Sequence, residues 1–157
     1  GTIAFQTEKG SYNPETKKFL TYLDSKGIPT IGYGRTENVL SNMEIPEEEA
    51  DMFLDQRIDQ EVSTLISDKI PRKFLNNPKI KTALVSLQYN LGRSGWPMAK
   101  EALQKGDIDS FLFYAFDPSE EAGNTYLLKS KGLTNRRKKE EKLFKEGLEE
   151  IGLGNEA

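Results

Sequence analysis

The stretch YLDSKGIPTIGYGRT occupies residues 22–36 and combines a turn signal with a pair of glycines. Its DSKG portion, at residues 24–27, is typical of a tight reversal between two strands. Gly32 and Gly34 follow at alternate positions, where the missing side chains let a backbone or a ligand approach one face of a strand closely. We therefore expect residues 30–36 to continue as the returning strand of a hairpin.

The residues before this stretch predict a second reversal. Asn13 and Pro14 precede Glu15 and Thr16 between segments rich in tyrosine, phenylalanine and threonine. These residue types favour a turn flanked by strands. Residues 11–36 together therefore predict a small antiparallel sheet.

The residues after it change to helical periodicity. Pro46 suits the first position of a helix, and the glutamates at 47–49 complement the helix dipole. Apolar residues then recur at spacings of three and four, which predicts one long amphipathic helix ending near Ser67. Shorter helices are predicted at residues 71–75, 78–91, 98–105, 108–116 and 135–149, with Gly92, Gly106 and Gly132 as terminators.

These elements predict an α+β fold in a single domain spanning residues 1–157. We expect a sheet lobe at about 11–45, a connecting helix at about 46–67, and a helical lobe at about 68–151 against which an N-terminal helix also packs. A length of 157 residues suits one such domain. The expected functional site is a cleft between the two lobes.

Composition removes several classes of chemistry. The chain contains no cysteine and no histidine, which excludes thiol nucleophiles, disulfides and every site that needs an imidazole. Its net charge of -3 argues against a dedicated nucleic-acid binder, and the run from Arg136 to Lys139 indicates a solvated helix face. No stretch approaches the roughly 20 apolar residues that span a bilayer. We therefore expect neither a nucleic-acid partner nor membrane insertion.

Acid and base chemistry must then run on carboxylates, lysine or tyrosine. Glu8 ends a short helix predicted at residues 2–9, where desolvation between two lobes would hold its proton to higher pH, as a general acid needs. Asp24 lies at a hairpin turn, and Thr30 on the returning strand can place a hydroxyl nearby. Spacing alone leaves the simpler interpretations open, namely a solvated acid at a helix end and an aspartate that bonds its own turn.

Four ordered segments resemble the phage-type lysozymes, the endolysin muramidases of bacteriophages. Residues 22–36 resemble the Tyr-x-Asp, Thr-x-Gly-x-Gly and final Thr of the sheet-lobe signature of that family. Residues 45–50 resemble the start of its inter-lobe helix, residues 83–92 its central helix, and residues 132–144 its closing arginine-rich helix. The resemblance implies the two-lobed lysozyme-like fold.

The resemblance also implies roles for individual residues. It places a catalytic glutamate at the end of the first helix and matches Asp24 and Thr30 to the other two catalytic positions. Arg35 stands where the family usually has histidine; an arginine can still pair with an acid as a structural strut but cannot titrate near neutrality. The positions that match cleft-lining residues are Tyr33, Gly34, Tyr89, Asn90 and Asn135.

The identity of the glutamate has two solutions. The family typically places it nine residues before the aspartate, which matches Glu15 without a gap. Glycine, asparagine and proline just before Glu15 are, however, incompatible with a helix that delivers the acid. Glu8 requires an insertion, which would take the form of a tight reversal at residues 12–17. We favour Glu8 and keep Glu15 as the alternative.

The function that the resemblance implies is hydrolysis of the β-1,4 bond between N-acetylmuramic acid and N-acetylglucosamine in peptidoglycan. We expect an inverting mechanism, glycan strands as the partner, a monomer, and neither metal nor cofactor. The enzyme would be made in a bacterial host cytoplasm and act on the cell wall in the periplasm or outside. The alternatives are a lytic transglycosylase, against which Asp24 and Thr30 argue, and an inactive peptidoglycan-binding or toxin module on the same fold. A third alternative is a small nucleic-acid binder that uses the basic face from Arg136 to Lys139.

Overall fold

The computed structural model of the protein describes residues 11–24 and 26–154. The predicted helix at residues 2–9, and Glu8 with it, lies outside the described residues. Contacts divide the chain into two compact units, Gly1–Gln60 and Glu61–Ala157. The described part contains short antiparallel strands followed by helices, so the α+β class predicted from the sequence is confirmed.

Two small antiparallel sheets lie in the first unit. Their strands are β1 (Ser11–Asn13), β2 (Lys18–Leu20), β3 (Tyr22–Leu23), β4 (Pro29–Thr30) and β5 (Glu44–Pro46). One sheet has the strand order β1-β2-β5 and the other pairs β3 with β4. Both reversals predicted from the sequence are confirmed, one between β1 and β2 and one between β3 and β4, whereas β5 is not predicted.

The turn between β1 and β2 is closed by the backbone and by one side chain. The amide of Lys17 donates to the carbonyl of Asn13 at 2.8 Å. The side-chain oxygen of Asn13 accepts from the amide of Glu15 at 3.0 Å, which is an Asx turn. Glu15 is exposed at the tip of this hairpin.

Phe19 centres the core of the first unit. It is fully buried on β2, where it lies opposite Ile45 of β5, and its neighbours Lys18 and Leu20 are exposed. Its ring centroid lies 4.9 Å from that of Tyr12 and 5.2 Å from that of Tyr33. Burying one such side chain is worth about 1.5–3 kcal/mol.

The expected strand over residues 30–36 is wrong, because β4 ends at Thr30. Ile31 and Arg35 instead exchange two backbone hydrogen bonds of 3.0 Å around a tight loop. Gly32 and Gly34 adopt φ values of 65° and 97° there, a left-handed region that glycine enters without strain. A Cβ on Gly32 would stand 3.3 Å from Cβ of Ala50, so the chain's own helix occupies that approach.

The long helix α1 spans Glu47–Ser67, close to its predicted bounds. Pro46 is the last residue of β5 and pairs with Lys18, so the prediction that it opens the helix is wrong by one residue. At the other end, Lys69 adopts a φ of 63°. The amides of Lys69 and Ile70 donate to the carbonyls of Ile66 and Leu65, which is a Schellman ending.

Helices make up most of the rest of the second unit. They are α2 (Arg72–Leu75), α3 (Pro78–Leu91), α4 (Pro97–Gln104), α5 (Ile108–Phe116) and α6 (Lys131–Glu150), with a 3-10 helix at Thr125–Lys129. Helix α3 packs against α6, α4 against α5, and α5 against α6. The ring centroid of Phe144 lies 4.6 Å from that of Phe111 and 6.3 Å from that of Phe74 in the buried core.

Helix α6 begins four residues earlier than predicted, so Gly132 is not a terminator. The hydroxyl oxygen of Ser130 accepts from the amide of Leu133 at 3.2 Å and caps the helix at that point. A glycine in the first helical turn costs at most about 1 kcal/mol, which the cap offsets. Gly132 therefore lies within α6.

Candidate active site

Asp24 is held by the turn that it begins. Its Oδ1 accepts from the amides of Lys26 and Ile28 at 2.8 and 2.9 Å. Its backbone carbonyl accepts from Gly27 at 2.9 Å, and its amide donates to the carbonyl of Ile28 at 3.0 Å. Among the described residues of the turn, both side-chain bonds use Oδ1 of Asp24 and none uses Oδ2. Asp24 itself is half-buried.

Thr30 lies on the same hairpin and shares a partner with Asp24. It pairs with Tyr22 across β3 and β4, and only 3% of its surface is exposed. Its hydroxyl donates to the carbonyl of Ile28 at 2.9 Å. The backbone of Ile28 therefore bonds both side chains, donating to Asp24 and accepting from Thr30. The hairpin brings together two of the three residues expected to be catalytic.

Tyr33 and Gly34 lie in the tight loop that follows. The Tyr33 hydroxyl donates to Oδ1 of Asp51 on α1 at 2.8 Å. Burial and the neighbouring Asp51 raise the pKa of Tyr33, so its phenol stays protonated and remains a donor. Gly34 is exposed. Sequence analysis did not identify Asp51, since nothing local in the sequence connects it to a loop residue 18 positions earlier.

Arg35, the residue that departs from the family's histidine, closes this loop. Its guanidinium carbon lies 3.6 Å from the ring centroid of Phe53 on α1, and its Nε donates to the carbonyl of Glu37 at 3.0 Å. A guanidinium over an aromatic face is a favourable cation–π arrangement. Arg35 thus acts as a strut by stacking on α1.

The other three candidate residues lie in the second unit. Tyr89 is half-buried and Asn90 exposed in the last turn of α3, and Asn135 is exposed near the start of α6. Oδ1 of Asn90 accepts a hydrogen bond from Nη2 of Arg137. Asn90 and Asn135 are therefore carried by the two helices that pack together in this unit.

Behind Asn90 lies a charged network that sequence analysis missed. Arg137 and Glu140 are 2% and 0% exposed and form an ion pair, so the interpretation of Arg136 to Lys139 as a solvated face is wrong at Arg137. Ser86 of α3 donates to Oε2 of Glu140 at 2.5 Å. Burial raises the pKa of Glu140, and the facing Arg137 opposes that rise. The sequence signals available for this network are the i, i+3 spacing of Arg137 and Glu140 and the position of Ser86 within an apolar stretch of α3.

The candidate residues thus fall into two groups, each described within its own unit. Asp24, Thr30, Tyr33 and Gly34 belong to the first unit. Tyr89, Asn90 and Asn135 belong to the second. Glu8 lies outside the described residues, and Glu15 is exposed at its hairpin tip.

Comparison with known families identifies the class of protein. The family model described as phage lysozyme matches residues 14–140, which is well over half of the chain, and the chain belongs to that family. It is accordingly a lysozyme-type peptidoglycan hydrolase, of a family that acts on the bacterial cell wall. The match includes Glu15 and every other candidate residue except Glu8.

A search of curated proteins gives no match to this chain. Among residues 11–24 and 26–154, none of the helices is both long and apolar enough to cross a membrane.

Proposed function

We propose that the protein is a muramidase that hydrolyses the β-1,4 bond between N-acetylmuramic acid and N-acetylglucosamine with inversion. The observation that carries this proposal is the hairpin in which the backbone of one residue, Ile28, bonds the side chains of both Asp24 and Thr30. A carboxylate and a hydroxyl held by the backbone of one residue in a hairpin suit the task of orienting a single water molecule. Membership of the phage lysozyme family supports peptidoglycan as the substrate.

The hydrogen bonds of the described hairpin residues support a separate role for each group. The Thr30 hydroxyl donates its hydrogen to the Ile28 carbonyl, so it can bind water only as an acceptor. Oδ2 of Asp24 is a second acceptor, and it takes the proton of the water as general base. A water that donates to both keeps a lone pair for attack on the anomeric carbon. In an inverting enzyme the acid stands roughly 6.5–9.5 Å from this base, across the scissile bond.

Glu8 is the proposed general acid, which protonates the leaving oxygen. A carboxyl group holds its proton near neutral pH when burial disfavours its charged form. Glu15 is exposed at a hairpin tip, in a turn closed by Asn13, which argues for a structural role there. The family match begins at residue 14, so Glu15 remains the alternative acid.

The remaining residues are proposed to bind the glycan. The Tyr33 ring and the bare backbone at Gly34 would contact a sugar, while Tyr89, Asn90 and Asn135 would bind from the helical side. This arrangement requires one domain with a sheet lobe at about 11–45, a connecting helix at about 46–67 and a helical lobe at about 68–151. We propose a monomer that needs no cofactor and acts in the periplasm or outside the cell.

Analysis of the products tests this proposal. Purified peptidoglycan digested with the protein should release muropeptides that end in reducing N-acetylmuramic acid, which borohydride converts to the alcohol. NMR spectra taken in the first minutes should show the α-anomer before mutarotation. Anhydro-muramic products would instead identify a transglycosylase, and pelleting with the wall without release would identify a binding module.

A further inference from the structure

The buried charges behind Asn90 form one connected chain of contacts. Ser86 donates to one carboxylate oxygen of Glu140, and Arg137 Nη1 bonds the other. These three residues are at most 2% exposed. Taking charges out of water costs several kcal/mol per ion, and a pair such as this adds little net stability. The effect of the pair is instead positional: Ser86 holds the Glu140 carboxylate, and that carboxylate holds the Arg137 guanidinium in place.

The same guanidinium determines how the Asn90 amide is oriented. Nη2 of Arg137 donates to Oδ1 of Asn90. Arginine carries only donors, so the amide must turn its oxygen toward Arg137 and its Nδ2 away from it. Asn90 is exposed, and the orientation of its amide therefore reaches the protein surface. The Nδ2 group of Asn90 is thus oriented to donate a hydrogen bond at the surface, whereas the amide of a freely rotating asparagine has no fixed donor direction.

We propose that Arg137 and Glu140 are positioning residues that present Asn90 to the glycan as a hydrogen-bond donor, which selects N-acetylated sugars. This inference rests on the proposed function, in which Asn90 binds substrate. Sugar hydroxyls both donate and accept, but the acetamido carbonyl only accepts and is the natural partner of a donor held in one orientation. A glucosamine unit offers an ammonium in its place, which only donates.

The test replaces Asn90 by aspartate and measures binding of two probes. Asn90→Asp keeps the shape and still accepts from Arg137, now as a charge-assisted bond, but carries no N–H. Wild type should bind the N-acetylglucosamine tetramer better than the glucosamine tetramer. Asn90→Asp should bind the acetylated tetramer about tenfold more weakly, the equivalent of one hydrogen bond of about 1.4 kcal/mol. The preference between the probes should vanish or reverse, and the melting temperature should not fall.

A second variant tests the positioning residues themselves. Glu140→Gln removes the charge that fixes Arg137, so the side-chain amide signals of Asn90 in the NMR spectrum should shift and KM should rise with little change in kcat. If this variant does not fold, Asn90→Asp still decides, because its contacts with the network persist. Equal binding of the acetylated tetramer by wild type and Asn90→Asp would overturn the inference, as would no binding by wild type. Binding that depends on Asn90 without any cleavage of peptidoglycan would contradict the proposed function and leave the inference standing.

Discussion

Gly147 of α6 lies so close to Ile80 of α3 that a Cβ at position 147 would stand 2.4 Å from Cγ1 of Ile80 and 2.6 Å from Oδ1 of Asn77. Asn77 is the residue that caps α3, accepting from the amides of Lys79 and Ile80 at 3.0 Å. A close approach of α6 to α3 thus coincides with a helix cap.

Gly147→Ala should therefore destabilise the protein even though alanine is the better helix former. Displacing Ile80 and the Asn77 cap should cost about 1–3 kcal/mol, against a gain in helix propensity of about 1 kcal/mol. Chemical denaturation should show a net loss in the free energy of unfolding. Gly132→Ala is the matched control in the same helix, where the new Cβ meets only the Ser130 hydroxyl at 4.0 Å. That variant should be neutral or more stable, and a loss of the same size in both would refute the explanation.

Replacing the two glutamates separately should identify the general acid. Glu8→Gln removes a transferable proton while keeping the side-chain volume, so the rate of peptidoglycan hydrolysis should fall by about 10²–10⁴-fold. Glu15→Gln changes only an exposed turn residue and should leave the rate nearly intact. Melting temperatures measured alongside separate loss of chemistry from loss of fold. Should Glu15→Gln abolish activity while Glu8→Gln retains it, the gapless alignment is the correct one.

Thr30 offers a test of the water-binding role through its hydroxyl. Thr30→Val keeps the shape but removes one of the two hydrogen bonds to the Ile28 carbonyl, which keeps the Asp24 amide as its donor. The loss of this one bond should cost about 1 kcal/mol of stability. Without the second acceptor the attacking water is poorly oriented, and kcat should fall about 10²-fold. Thr30→Ser restores the hydroxyl and should recover most of the rate. If Thr30→Val and Thr30→Ser hydrolyse peptidoglycan at the same rate, the hydroxyl has only a structural role.

Acid sensitivity should be traceable to Asp68, which follows α1. Arg93 hydrogen-bonds it at 2.6 Å and Lys100 at 2.7 Å, and these contacts lower the pKa of Asp68 from 3.8 to about 2 against the opposing effect of burial. A carboxylate whose folded pKa is depressed stabilises the protein above its unfolded pKa and loses that contribution as pH falls.

Asp68→Asn should therefore lower the free energy of unfolding at pH 7 by about 1 kcal/mol once solvent screening is allowed for. The deficit relative to wild type should shrink as pH falls from about 4 to about 2. Denaturation curves of both proteins at pH 7 and near pH 2.5 measure this difference in the free energy of unfolding. Glu101→Gln, which breaks the exposed pair with Lys105, is the control and should change little at either pH. A deficit for Asp68→Asn that does not depend on pH would contradict the assignment.

The elements that were predictable from the sequence are those with local signals. The Asn13 turn, the reversal that begins at Asp24 and the ends of α1 depend on residues close together in the chain. Strand β5 carries no such signal, because three residues show no periodicity and Ile45 becomes a strand residue only by pairing with Phe19. The alternation of glycines at Gly32 and Gly34 is compatible with both a strand and a loop, and the backbone bonds between Ile31 and Arg35, four residues apart, show that the chain forms a loop there.

The candidate site divides in the same way. The sequence predicts Asp24 and Thr30 as candidates because they belong to one contiguous motif, and the partner that the structure shows them to share, Ile28, lies between them. Arg137 was misread because burial depends on what the opposite helix presents. Only the packing of α3 against α6 reveals that Ser86 donates to Glu140 and that Arg137 donates to Asn90. In the sequence, both charged residues stand beside exposed lysines.

The Asp24 carboxylate divides its two oxygens between architecture and chemistry. Because the side-chain bonds of the described turn residues both use Oδ1, we expect an asparagine at this position to keep the loop closed while losing the base that the proposed mechanism requires of Oδ2. Under that mechanism, such a variant would bind the polymer and leave it intact. Exchanging a single oxygen for a nitrogen would then convert the proposed lytic enzyme into a probe that labels bacterial envelopes.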